Sequence, residues 1–261
     1  MTSQASGKEP RENEPEYVMG LEKGLSIIEA FGMNKGPLTL TQAAEITGHT
    51  KGSVRRSLLT LCKLGYAAQD GHSFVLAPRA LRLGYAYVVS DPLAKVAQPI
   101  LEITSERTQE AASIAVLDSQ DAVFVARSSH RRSLSSGLGV GSRLPAYCSA
   151  TGRVLLSSRP AAEVKFMLNR MARPALTPHT RTTTGSIMKE IEFVSKHGYA
   201  IIDEELEIGI RSIAVPICNA RGEMVAAMSL SVSTSRMTRE GVVEHLLPEL
   251  EFARRHFAAL L

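Results

Sequence analysis

"LTLTQAAEITGHTKGSVRRSLLTLCKLGYAAQDGHSFVLA", Leu38 to Ala77, is the stretch whose reading decides the fold. LTLTQAAEITG predicts a short helix: Thr41 caps it, Ala43, Ala44 and Ile46 point inward, and Gly48 makes the turn that ends it. HTKGSVRRSLLTLCKLG predicts a second helix from Thr50 to Gly65, with Val54, Leu58 and Leu61 as its buried stripe. On a helical wheel Gly52, Arg56, Thr60 and Lys63 fall on the opposite face, with Ser53 and Arg55 on its flanks. Two short strands around Asp70-Gly71 follow, because Asp-Gly readily takes the positive φ angles of a tight hairpin turn. Short helix, glycine turn, basic helix and hairpin make a winged helix-turn-helix, in which the later helix enters the major groove.

Charge placement agrees. Between Lys51 and Arg82 stand six basic residues (Lys51, Arg55, Arg56, Lys63, Arg79, Arg82) against the single acid Asp70. That window's net of five positive charges exceeds the +4 of the whole 261-residue chain. Such a strip attracts phosphates, and counterion release drives the binding. Charge alone reads as a solvated helix face; charge on this helix, turn, helix and hairpin reads as a DNA surface. Thr41, Thr50, Lys51, Ser53, Arg55, Arg56, Thr60 and His72 are its candidate contacts.

Upstream, YVMGLEKGLSIIEAFG sets Val18, Leu21, Leu25, Ile28 and Phe31 at helical spacing, with Gly32 ending the run. Residues 1–16 are polar, lack the apolar core of a signal peptide, and read as a disordered tail. Downstream, residues 78–91 form a helix apolar nearly all round, through Leu81, Leu83, Tyr85, Tyr87, Val88 and Val89. It needs cover on more than one side. A linker that packs on a second copy supplies that cover, and so does burial within one chain.

From 92 to 261 the pattern is mixed: a helix kinked at Pro99, paired strands ASIAVLD and AVFVARSS, and a third strand in SLSSGLGVGSR. Helices follow at Ala161–Asn169 and Thr184–His197, then strands YAIID, RSIAVPIC and EMVAAMSLSVS, then a closing helix from Thr238 to Leu261. Helices set against a mainly antiparallel sheet give an α+β class. The organisation expected is a tail (1–16), a winged helix-turn-helix domain (17–77), a linker helix (78–91) and a second domain (92–261).

Enzyme motifs are scarce. GLGVG at Gly137–Gly141 lacks the dinucleotide spacing, and there is no GxSxG elbow or P-loop. The seven histidines show no metal-ligand spacing, so no metal and no cofactor is expected. The three cysteines form no CxxC pair, which fits a reducing cytoplasm, and no apolar run spans a bilayer. DEELE at Asp203–Glu207 holds a cation, does acid–base work, or, as the plainer reading, pairs with nearby arginines.

The stretch LPAYCSATGRVLL, Leu144–Leu156, poses the remaining question. Cys148 as a nucleophile needs a lowered pKa, and only Arg153 lies near in sequence. The turn offers instead Ser149, Thr151 and backbone amides at a helix start, donors suited to a carboxylate. Arg143, Tyr147 and Cys148 itself join them as candidate ligand contacts, and Leu144, Ile210 and Ile213 as apolar neighbours.

These residues carry a resemblance. LEKGLSIIEAF, GSVRRSLLTLCKLGY, VGSRLPAYCSATGRVLL, HGYAIIDEELEIGIRSIAVPI and MVAAMSLSVS resemble the IclR family of bacterial transcription regulators, from about Tyr17 to the C-terminus. DPLAKVAQPILEI and ELEIGIRSIAVPI look most like the PcaR/PcaU/PobR subgroup, which controls aromatic-acid catabolism through the β-ketoadipate pathway. The resemblance implies a GAF-like effector domain, dimers often paired into tetramers on a palindromic DNA operator, and effectors such as 4-hydroxybenzoate, protocatechuate or β-ketoadipate. Carried over by position, it places the ligand loop on Ala150 and Thr151, facing Ile210 and Ser212, with Asp203 near an acidic pocket residue. Two other readings stay open: an enzyme of the same architecture using Cys148, and a ligand-independent DNA-binding dimer.

Overall fold

A computed structural model of the chain describes residues 16–34, 36–129 and 137–261. Apart from Glu16, the tail expected over residues 1–16 lies outside the described residues. The chain divides into two compact units, Met1–Tyr87 and Val88–Leu261.

In the first unit, α1 (Met19–Asn34), α2 (Leu40–Thr47) and α3 (Lys51–Lys63) precede a hairpin of β2 (Ala67–Asp70) and β3 (Ser73–Leu76). The hairpin's two-residue turn is Gly71-His72, with Gly71 at φ +57°. A short strand β1 (Leu38–Thr39), not foreseen, pairs with β3 and makes the sheet three-stranded, in the order β1-β3-β2. Val54, Leu58 and Leu61 of α3 are buried as the periodicity requires. They meet Ile27, Ala30 and Phe31 of α1, so the buried face of α1 is not the stripe expected. Val18, Leu21 and Leu25 are exposed, because this helix carries two apolar faces and only one of them meets the core. Helix α1 also runs past Gly32 to Asn34. Thr39, not Thr41, caps α2, through a reciprocal capping box with Gln42. Ile46 is exposed.

Helix α4 (Leu81–Ser90) contains no buried residue, and Leu81, Leu83, Tyr85, Tyr87 and Val89 are all exposed.

The second unit is built on one antiparallel sheet of six strands, in the order β6-β5-β4-β9-β8-β7. The strands are β4 (Ala111–Asp118), β5 (Asp121–Ser128), β6 (Arg143–Pro145), β7 (Ala200–Asp203), β8 (Ile210–Cys218) and β9 (Met224–Ser233). One face packs on α5 (Pro92–Thr108) and α10 (Leu247–Leu260), through Leu101, Ile114, Ile213, Met228 and Phe257. The other packs on α6 (Ala150–Ser157) and α8 (Thr184–His197), through Phe124, Val154, Val194 and Ala214. Helix α7 (Ala161–Arg170) lies between these two in sequence and packs on α8. The architecture is therefore α+β, a winged helix-turn-helix followed by an antiparallel-sheet domain.

The strand expected in SLSSGLGVGSR is displaced. Residues 133–136 lie outside the described residues, Gly137–Ser142 are turns and bends, and the strand is Arg143–Pro145. The closing helix is interrupted: a short α9 (Arg239–Gly241) and a π-helical turn (Val242–Leu246) precede α10. Pro248 gives the reason, since it cannot donate to the carbonyl four residues back and its ring crowds that carbonyl.

Candidate functional site

The first unit presents a basic helix. Thr50 caps α3, its hydroxyl accepting from the Ser53 amide, and the helix carries no acid. Lys51, Arg55, Arg56 and Thr60 are exposed along it, Thr41 is exposed on α2, and His72 is exposed at the hairpin tip. Ser53 departs from the other candidates: it is buried, at 9% exposed. Thr60 spends its hydroxyl proton on the Arg56 carbonyl.

In the second unit a cavity of about 50 Å³ opens between the start of α6 and the sheet. Ser149, Ala150 and Thr151 line it from the helix, Ile210 and Ser212 from β8. These five of the nine expected ligand residues come together. Leu144, Leu138 and Leu206 give the cavity apolar walls, whereas Ile213 faces the opposite side of the sheet.

The other four do not line it. Arg143 is on the edge strand β6, where its guanidinium pairs with Asp118 (2.6 Å) and Asp121 (3.0 Å). Asp203 is held by Nε and Nη2 of Arg211, at 3.0 and 2.8 Å. Tyr147 is buried and donates its hydroxyl to the Pro174 carbonyl. Cys148 is buried among Tyr147, Leu156, Val164 and Leu168, and burial pushes its thiol up to about 11. A neutral, enclosed thiol is no nucleophile.

Ser149 also has a different role from the one expected. Its oxygen accepts from the Gly152 amide and its proton goes to the Pro145 carbonyl, so the hydroxyl is consumed in capping α6. The donors left over are the amides of Ala150 and Thr151, which have no acceptor inside the helix, at the positive end of its dipole. Thr151 is 2% exposed, and among the described residues its buried hydroxyl has no hydrogen-bond partner.

Opposite stands a residue the sequence reading missed. Arg127 on β5 lines the same cavity, donates to the Ser113 hydroxyl (2.8 Å) and lies over the Phe124 ring. Among the described residues no carboxylate pairs with it, and burial alone lowers its pKa. Strand alternation would set Arg127 and Phe124 on opposite faces, since they are three apart. The pairing of β4 with β5 slips between Ile114 and Ala115, which leaves Val125 unopposed as a bulge. That extra residue turns both side chains to one face.

A floor of hydroxyls completes the cavity: Ser212 and Ser231 share a hydrogen bond of 2.9 Å, with Ser229 and Ser233 beside them. Glu207 stands at the rim. The arrangement is a cation and helix amides for an anionic group, apolar walls, and hydroxyl and carboxylate acceptors for a second polar group. Among the described residues no cluster of histidine, cysteine and carboxylate side chains is placed to hold a metal ion. Among the same residues no helix is long and apolar enough to cross a membrane.

Known proteins resemble the chain over both units. The profile described as "IclR helix-turn-helix domain" matches residues 20–71, and "Bacterial transcriptional regulator IclR C-terminal" matches residues 85–257. The Pca regulon regulatory protein of Pseudomonas putida is 41% identical over 243 residues, 93% of this chain and 84% of that protein. The p-hydroxybenzoate hydroxylase transcriptional activator of Acinetobacter baylyi is 37% identical over 240 residues, covering 90% of this chain and 89% of its own. Among solved structures, a double mutant of the inducer-binding domain of the Acinetobacter PobR transcription factor, in complex with 3-hydroxybenzoic acid, superposes with a TM-score of 0.61. It shares 32% identity and covers 64% of this chain and 98% of that one.

Proposed function

The chain belongs to the IclR family of bacterial transcriptional regulators, and from that premise we propose that it is a DNA-binding regulator of aromatic-acid catabolism, switched by a hydroxylated aromatic monocarboxylate. One observation carries the effector reading: the unpaired Arg127 guanidinium lines the same cavity as the partnerless Thr151 hydroxyl and the first amides of α6. A carboxylate satisfies all three, with a charge-assisted bond to the arginine. Among the described residues that line the cavity, Arg127 is the one base and Glu207 the one acid. A second carboxylate would meet repulsion there, whereas a phenolic hydroxyl donates to Glu207 or to the serines. The 3-hydroxybenzoic acid held by the related inducer-binding domain supports the same class. The cavity is small for a ring, so Leu138, Leu144 and Leu206 move apart on binding.

The protein is a regulator and not an enzyme: its relatives are regulators, and Cys148 is sealed in the core. The DNA contacts come from α3 and the hairpin tip, through Lys51, Arg55, Arg56 and His72. Two copies pair through the exposed apolar surface of α4, and such dimers join into tetramers. Paired recognition helices then read half-sites about 10 base pairs apart, or a multiple of that. By fluorescence anisotropy, Arg56→Ala is expected to weaken operator binding by about 1–3 kcal/mol and relax specificity. Lys51→Ala is expected to weaken all sequences alike and flatten the salt dependence. Wild-type affinity in both variants would remove α3 as the reader.

The effector reading is tested by thermal shift and calorimetry with 4-hydroxybenzoate, protocatechuate and β-ketoadipate. The two hydroxybenzoates are expected to bind and to raise the melting temperature, and the dicarboxylate to do neither. Binding of β-ketoadipate alone overturns the assignment.

A further inference from the structure

Beneath the cavity lies a charged network that does not touch it. Arg153, on α6 one turn after Ala150, is fully buried and grips Glu205 with both terminal nitrogens, at 2.8 and 2.7 Å. Its Nε donates to the Tyr147 carbonyl at 3.1 Å, two residues before the Ser149 cap. Arg181 takes the other side of Glu205: its Nη1 lies 2.6 Å from Oε1, and its backbone amide donates to Oε2 at 2.9 Å. Glu190 of α8 closes the ring, 3.3 Å from Arg181 and 3.8 Å from Arg153. Two cations and two anions alternate, and no net charge is buried.

Glu205 belongs to the loop from Glu204 to Gly209, and that loop is a wall of the cavity through Leu206 and Glu207. Its backbone is held further by the Thr180 hydroxyl on the Glu205 carbonyl and the Thr177 hydroxyl on the Glu204 carbonyl, both at 2.6 Å. Arg153 therefore fastens two walls at once, the turn before α6 through Tyr147 and the loop through Glu205. Buried ion pairs of this kind are weak sources of stability. Their usefulness here is geometric, since a rigid support lowers the ordering cost that a ligand must otherwise meet.

We propose that Arg181, acting with Arg153 through Glu205, is a positioning residue for the effector. It sets where the wall bearing Leu206 and Glu207 stands relative to the start of α6, and so determines how well the site recognises a hydroxyl on the acid. This rests on the cavity being the acid site.

Arg181 is the place to test it, because removing Glu205 or Arg153 leaves an uncompensated buried charge and endangers the fold. Arg181 is partly exposed, and its amide bond to Glu205 survives substitution. Calorimetry compares wild type, Arg181→Met and Arg181→Lys with 4-hydroxybenzoate and with benzoate, which has no hydroxyl for Glu207 or the serines. Arg181→Met is expected to weaken 4-hydroxybenzoate by about five- to thirtyfold. Benzoate, already weaker, is expected to change less than threefold, and Arg181→Lys to recover most of the loss. General loosening of the domain would weaken both acids alike and would not be rescued by lysine. Equal losses for the two acids, or no loss for either, overturn the proposal. Failure of wild type to bind either acid is a separate result, and it overturns the acid-pocket reading on which this one rests.

Discussion

Gly152→Ala is expected to destabilise the second unit by about 3 kcal/mol or more, and to remove its response to acids. A Cβ on Gly152 would stand 2.3 Å from the Ala146 Cα, 2.5 Å from the Ala146 carbonyl oxygen and 2.5 Å from the Ser149 Oγ. Two of these are backbone atoms with no rotamer to escape into. The Ala146 amide is tied to the Gln120 carbonyl at 3.0 Å, so the turn cannot swing away without breaking its junction with the β4–β5 hairpin. The third is the oxygen that caps α6, and displacing it exposes the helix start to which the acid would bind. Urea unfolding followed by circular dichroism measures the loss, with Gly185→Ala as control. No atom lies within 4 Å of a Cβ at Gly185, near the start of α8, and alanine there favours the helix. A Gly152→Ala protein with the wild-type midpoint and acid response would show that the turn has slack the packing does not suggest.

Why Gly152 and Arg127 were hard to read in the sequence, while α3 was easy, is a matter of range. The α3 stripe of Val54, Leu58 and Leu61 follows from helical periodicity, and Thr50 and Gly65 mark its ends by local cap and turn chemistry. The span of α8 was legible for the same reason, Thr183 capping one end and Gly198 turning left-handed at the other. Helix α1 misled because it has apolar residues on two faces, and periodicity does not say which face finds a partner.

At the cavity, the α6 start and its opposite residues on β8 were legible through the family motif. The charged residues were not, because each could be claimed by a partner distant in sequence. Asp118 and Asp121 take Arg143, Arg211 takes Asp203, and Arg153 with Arg181 takes Glu205. The plainer reading of DEELE, a set of partners for arginines, describes Asp203 and Glu205. Arg127 was hidden by the bulge at Val125, a slip in strand pairing that strict alternation does not contain.

Arg127→Met is expected to weaken hydroxybenzoate binding about a hundredfold while leaving the fold intact. The fold holds this guanidinium partly out of water with a serine hydroxyl and an aromatic face for company, and burial lowers its pKa. A half-buried guanidinium with no carboxylate beside it among the described residues is unfavourable, and methionine, of similar length and no charge, relieves it. The unliganded variant should therefore melt at or above the wild-type temperature, which separates loss of binding from loss of structure. The carboxylate of the acid would lose the cationic partner that the described residues offer it and keep the α6 amides and Thr151. An uncharged analogue, 4-hydroxybenzamide, supplies the decisive comparison. It should bind wild type weakly, having no charge to offer, and should bind Arg127→Met about as well as it binds wild type. Calorimetry reads both ligands on both proteins, and the coupling between side chain and ligand charge is the quantity of interest. If Arg127→Met still binds 4-hydroxybenzoate within a few-fold of wild type, the arginine is not the anion's partner. The α6 amides would then have to hold the carboxylate alone.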